Sequence, residues 1–291
     1  MDFESFMGQA WDDHAGDASG VAQRLSEEGV ALLSSESQLV QLMNLSHHLH
    51  GEHLHEWVQG EASFVQLTAS DFFEVNGESG EMARRCLASL KLSAQEDFNL
   101  AALSVSDQIR VNAMAASNLA ETDAARGVRL MQAALDQAAR STLPSTDAMN
   151  RALAVSGHNL AAALEEKLAL SADETQLMLM ASQASRTYWE RAGTWLHVER
   201  AEYQLATTFL KAGELAQAEF HARECGRIVA ENNAAPLERF FAREALARVM
   251  RAAKNEIEFG LARGEAQKAF DDLDDGDKSW CDASLKKLHQ A

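Results

Sequence analysis

Proline occurs twice and isoleucine three times in 291 residues. No stretch alternates apolar and polar residues between hairpin turns, so nothing in the sequence predicts a β-sheet. The three cysteines, Cys86, Cys225 and Cys281, are odd in number and far apart. That excludes a disulfide framework and any Cys-x-x-Cys metal knuckle. No apolar run approaches the roughly 20 residues that cross a bilayer. The opening "MDFESFMGQAWDD" is acidic where a secretory leader would be basic and then apolar, which predicts a cytoplasmic protein. Basic residues are outnumbered 26 to 44, leaving a formal charge of −18. Binding to nucleic acid or anionic lipid depends on Lys and Arg neutralising phosphates, so neither is an expected partner. Also missing are a Gly-rich phosphate loop, a Gly-x-Ser-x-Gly elbow and a cysteine beside an activating histidine. The expectation is therefore a non-catalytic chain that uses no cofactor.

What is abundant is Ala, Leu, Glu, Gln, Met and Arg, all strong helix formers. Apolar residues recur three and four apart, as in "AEYQLATTFL" with Tyr203, Leu205, Ala206, Phe209 and Leu210. The fold class is all-α. "SAQE" (Ser93, Glu96) and "SADE" (Ser171, Glu174) have the spacing of capping boxes. Thr194 and Asp147 fit N-caps, and Pro236 fits a first helical turn. Breaks of Gly-acid type recur at Gly16-Asp17, Gly51-Glu52, Gly77-Glu78, Thr122-Asp123, Ala172-Asp173 and Gly213-Glu214, with a degraded one at Lys254-Asn255. In the later chain they lie about 40 to 50 residues apart, room for two helices and two turns.

The stretch from Glu199 to Glu231 resembles a tetratricopeptide repeat. Leu205-Ala206 supplies its large-small pair, Phe209 the following aromatic, Gly213-Glu214 the turn, and Ala218 and Ala222 the small residues of the second helix. Tyr203 stands one position from the family's first aromatic. Residues 114–139 give a second, looser match. The spacing exceeds the family's roughly 34 residues, which points to elongated helices. The resemblance implies a right-handed α-α superhelix of about six hairpins in one elongated domain. On this reading, residues 1–92 form degenerate hairpins, 93–275 better-defined ones, and 276–291 a capping helix with Trp280, Leu285 and Leu288 on one side. It also implies a concave groove for a protein or peptide. Arg200, Tyr203, Thr207 and Lys211 would point into that groove, and Asn112 and Asn159 would extend it. The alternative for these residues is an ordinary solvated helix face.

One stretch stands outside this pattern. "SHHLHGEHLHEW" holds five of the ten histidines: His47, His48, His50, His53 and His55. With Gly51-Glu52 as a hairpin turn, the first three end one helix and the last two begin the next. His47 and His50 would then share a face, and Glu52 and His55 have Glu-x-x-His spacing. No pair has the i, i+4 spacing of a zincin and no second Glu-x-x-His exists, so an exposed turn is expected, without a metal centre. The alternative is a metal- or pH-responsive element at 47–55.

Overall fold

A computed structural model describes residues 1–95 and 97–290. Among them are fourteen α-helices and no strand. None of these helices is long and apolar enough to cross a membrane. The chain divides into two compact units, Met1–Pro144 and Ser145–Ala291.

The N-terminal unit contains α1 (Phe3–Asp13), α2 (Ala18–Arg24), α3 (Glu36–His48), α4 (Trp57–Thr68), α5 (Glu78–Ala94), α6 (Val105–Asn118) and α7 (Ala124–Arg140). Its core joins Phe3, Phe6 and Met7 to Leu39, Leu42, Met43 and Leu45 of α3, with Phe64 and Leu90. The C-terminal unit contains α8 (Ala148–Glu166), α9 (Ala172–Ala192), α10 (Trp195–Lys211), α11 (Leu215–Glu231), α12 (Pro236–Ala252), α13 (Glu256–Asp271) and α14 (Asp275–His289). Neighbours pair as α8–α9, α10–α11 and α12–α13; α10 also touches α8 and α12, and α14 lies against α12 and α13.

Local sequence explains most boundaries. Asp17, Asp123, Asp147 and Asn255 each accept a hydrogen bond from the backbone of the helix they start. Ser171 and Glu174 form a reciprocal capping box. Thr194 caps α10, its N–H donating to His197 Nδ1 at 3.1 Å, and Pro236 occupies the first turn of α12. Gly213 (φ 79°) and Lys254 (φ 57°) are both left-handed at the turns α10–α11 and α12–α13. Glycine adopts that conformation freely, whereas lysine does so at a cost. Helix starts in these two pairs are equally spaced, Trp195 to Pro236 and Leu215 to Glu256.

Three expectations are corrected. Ser93 starts no helix, because it lies in the last turn of α5, buried and donating to the Ser89 carbonyl at 2.8 Å. Its expected partner Glu96 lies outside the described residues, and the boundary expected after residue 92 falls within α5. Gly51-Glu52 is not a turn between helices. Trp280 is 65% exposed while Leu285 and Leu288 are buried, so the three do not share the packed side of α14.

Close helix approach explains a glycine that the break pattern does not. A Cβ on Gly157 of α8 would stand 2.5 Å from the Ala181 carbonyl and 3.0 Å from the Ser185 nitrogen of α9, both backbone atoms. Alanine gains about 1 kcal/mol of helix propensity. Prising two helices apart costs about 1–3 kcal/mol, so Gly157→Ala is expected to lower the urea midpoint. A raised midpoint would mean that α8 and α9 can separate freely.

Candidate functional site

Helix α10 lies against α8, α9, α11 and α12, so it is buried on more than one side, polar residues included. Buried polar groups need partners, and several here find them on neighbouring helices. Gln204 and His158 of α8 meet twice, at 2.9 Å from Nδ1 to the amide oxygen and 2.8 Å from the amide nitrogen to the His158 carbonyl. Thr208 donates to Glu165 of α8. Tyr203 donates to Glu244 of α12 at 3.1 Å, and Arg248 pairs with the same carboxylate at 3.5 Å. Glu202 accepts from Arg186 of α9 at 2.5 Å and from His221 of α11 at 2.6 Å. Cys225 of α11 donates its thiol to Glu199 at 3.1 Å.

These contacts set the charges. Burial raises the Glu165 and Glu244 carboxyls, opposed by Thr208 at the first and by Arg248 at the second. Burial, reinforced by Glu238, pushes Glu199 up to about 7. Glu202 moves the other way: burial opposes its charge, but the hydrogen bonds from His221 and Arg186 hold it below the usual carboxylate range. Tyr203 is held protonated by burial beside Glu244.

The residues expected to line a groove are only partly free. Arg200 is exposed but paired with Glu238 of α12 at 3.1 Å. Lys211 is exposed and donates to the Lys167 carbonyl. Tyr203 is half-buried in its pair with Glu244, and Thr207 is buried, donating to the Gln204 carbonyl at 2.9 Å. Thr207, expected on the groove side, is thus buried with its hydroxyl bonded within α10. Asn159 is exposed on α8. Asn112 belongs to the N-terminal unit and donates within α6, to the Gln108 carbonyl at 2.9 Å. The sequence reading missed Glu165, Arg186, Glu202, His221, Glu244 and Arg248. They lie on five different helices, and apart from the i, i+4 pair Glu244–Arg248 no local spacing links them.

The histidine stretch folds otherwise than expected. α3 continues past His48 into a π-turn, Leu49–His53, in which the Leu54 N–H donates to the Leu49 carbonyl at 2.8 Å. The true break is at His55 (φ 52°), and α4 starts at Trp57. Five residues of α-helix turn through about 500°, placing His53 some 140° from His48. The wider π-turn brings them together, with Nε2 atoms 3.0 Å apart. His14, the residue that follows α1, joins them: one ligand-capable atom from each of His14, His48 and His53 lies within 4.8 Å of the others. Glu52 contacts His48 Nδ1 at 3.1 Å and His55 contacts Glu121 at 3.4 Å, so Glu52 and His55, despite their Glu-x-x-His spacing, have separate partners. Burial, with His48 and His14 alongside, lowers the pKa of His53.

His47 and His50 turn into the core instead of sharing an exposed face. His47 Nε2 is 2.6 Å from Ser89 Oγ, and burial lowers its pKa to about 4. Asn118 donates to Ser93 at 3.0 Å and to Ser89 at 3.4 Å, extending that buried network to α6. Gly51 packs there, where a Cβ would stand 2.3 Å from Asn118 Oδ1. The five histidines thus divide among the core, the cluster and a half-buried contact with Glu121, a division that no linear pattern shows. No protein-family model matches the chain, and no curated protein or solved structure matches it either.

Proposed function

We propose that the chain is a non-catalytic, tetratricopeptide-like helical-repeat scaffold that holds a protein or peptide partner against α8, α10 and α12 of its C-terminal unit. The observation that carries this reading is the set of polar side chains joining those three helices, His158–Gln204, Glu165–Thr208 and Tyr203–Glu244. Satisfied buried networks rigidify the elements they join, and a rigid face binds without the entropic cost of ordering itself. The equal spacing of α10–α11 and α12–α13 supports a repeated unit. Arg200 and Lys211 put two cations at exposed positions on α10, in a chain of charge −18. On this reading they receive carboxylates of the partner.

The test is capture from source-organism lysate read by mass spectrometry, followed by affinity measurement on the captured protein. Wild type is compared with Arg200→Glu, Lys211→Glu and with Lys211→Glu alone, because Arg200 also offsets the burial of Glu199. Each variant is first shown to be folded by circular dichroism. Reversing these charges is expected to weaken binding by roughly tenfold or more. Equal binding by all three proteins would remove this face from consideration. A second reading, metal-responsive regulation through the histidine stretch, draws on a separate observation, the convergence of His14, His48 and His53.

A further inference from the structure

We propose that the N-terminal unit binds one divalent transition-metal ion of the zinc type through His14, His48 and His53. The proposal is independent of the partner-binding reading, because every residue it uses lies within Met1–Pro144.

The rings already converge. His48 and His53 are 4.7 Å apart between centroids, His14 and His53 5.1 Å, and His14 and His48 5.2 Å. In a tetrahedral site with Zn–N bonds of about 2.0–2.1 Å, ligand nitrogens stand about 3.3 Å from one another. The 3.0 Å between His48 Nε2 and His53 Nε2 is close to that edge. One ligand-capable atom of His14 lies within 4.8 Å of those of the other two.

Two of the three rings have an oxygen acceptor beside Nδ1. Glu52 Oε1, 3.1 Å from His48 Nδ1, is placed to accept a hydrogen bond from that nitrogen. The Trp11 carbonyl is placed likewise for His14 Nδ1. An oxygen acceptor on Nδ1 keeps the hydrogen there and leaves the lone pair on Nε2. This is the outer-shell arrangement that orients metal-bound histidines, one a carboxylate–histidine pair and the other a backbone carbonyl–histidine pair.

The backbone supports the same reading. A π-turn gives up regular i→i+4 bonding and is commonly found at functional sites. Here its geometric product is the meeting of His48 and His53, and Trp57 Nε1 donates to the Gly51 carbonyl inside the turn at 3.1 Å. Trp11 packs against two of the rings, His14 and His48. Three imidazoles leave a fourth position for water or another ligand, and imidazole donors suit zinc, cobalt, nickel and copper.

The experiment uses the full chain, stripped with a chelator and titrated with Co(II) and then Zn(II), followed by visible absorption and calorimetry. The expected result is one equivalent per chain and a tetrahedral cobalt spectrum that zinc abolishes. Affinity should fall at least a hundredfold in His14→Ala, which is decisive because His14 lies far from the histidine stretch in sequence. Glu52→Gln should weaken binding by about 10- to 100-fold. His55→Ala, outside the cluster, should bind as wild type does. Retained affinity in His14→Ala, or equal weakening in His55→Ala, would show only diffuse affinity of a His-rich segment and would overturn the site. Zinc should also raise the unfolding midpoint of wild type but not of His14→Ala. That comparison separates lost binding from lost folding.

Discussion

Acidification from pH 6.5 towards 4 is expected to destabilise the protein through His47, and His47→Gln is expected to lack that component. The side chain is buried against Ser89. Its pKa falls to about 4 because burial disfavours the charged ring, opposed by Glu52 and reinforced by His48 and His50. In the unfolded chain the ring titrates near 6.5. Between those values the unfolded state takes up a proton that the folded state refuses. Stability present above pH 6.5 is therefore lost as the pH falls to about 4, on the order of 3 kcal/mol in all. Urea denaturation at a series of pH values measures this directly. The variant is less stable at neutral pH, having lost its contact with Ser89. Its slope between pH 6.5 and 4 should nevertheless be shallower by about one proton. His50 and His53, lowered in the same direction, supply a slope that both proteins share. Parallel curves for the two proteins would mean that His47 is reached by water or charged in the fold.

The C-terminal unit carries a group of opposite sense. Glu199 is 1% exposed, its Oε1 accepts from Cys225, and its Oε2 has no hydrogen-bond partner among the described residues. Burial and the nearby Glu238 push its carboxyl up to about 7, against the Cys225 hydrogen bond and Arg200. A raised pKa means that the fold prefers the neutral acid. The contribution is complete below about pH 4.5 and is lost as pH rises through 7. Glu199→Gln cannot ionise and keeps an oxygen for Cys225. Its stability relative to wild type should improve by on the order of 3 kcal/mol between pH 4.5 and 8. A constant difference across that range would show that Glu199 ionises without penalty. A buried acid kept neutral is a costly feature for a purely structural helix, and it lies one residue from the exposed cation Arg200.

Much of the architecture is legible in the sequence because helix caps and breaks are local. Asp123, Ser171, Thr194, Gly213 and Pro236 act within a few residues of themselves, so their roles follow from composition and spacing. The Gly51-Glu52 reading failed for an identifiable reason: the same dipeptide that ends a helix elsewhere here occupies a π-turn packed against Asn118. A glycine chosen for close approach looks the same in sequence as one chosen for a left-handed turn.

The functional residues divide along the same line. An all-α chain with cations on α10 and a dense histidine stretch was determined by the sequence alone, since composition, charge and 3.6-residue periodicity are properties of the chain itself. Only the tertiary structure decided which of those groups meet. It buried Thr207, paired Arg200 with Glu238, turned His47 and His50 inward, and brought His14 to His48 and His53. The physical reason is that ligation and buried ion pairing depend on distances of 3 to 5 Å between side chains remote in sequence. Those distances follow from helix packing and from one widened helical turn, and a repeat pattern carries no record of either.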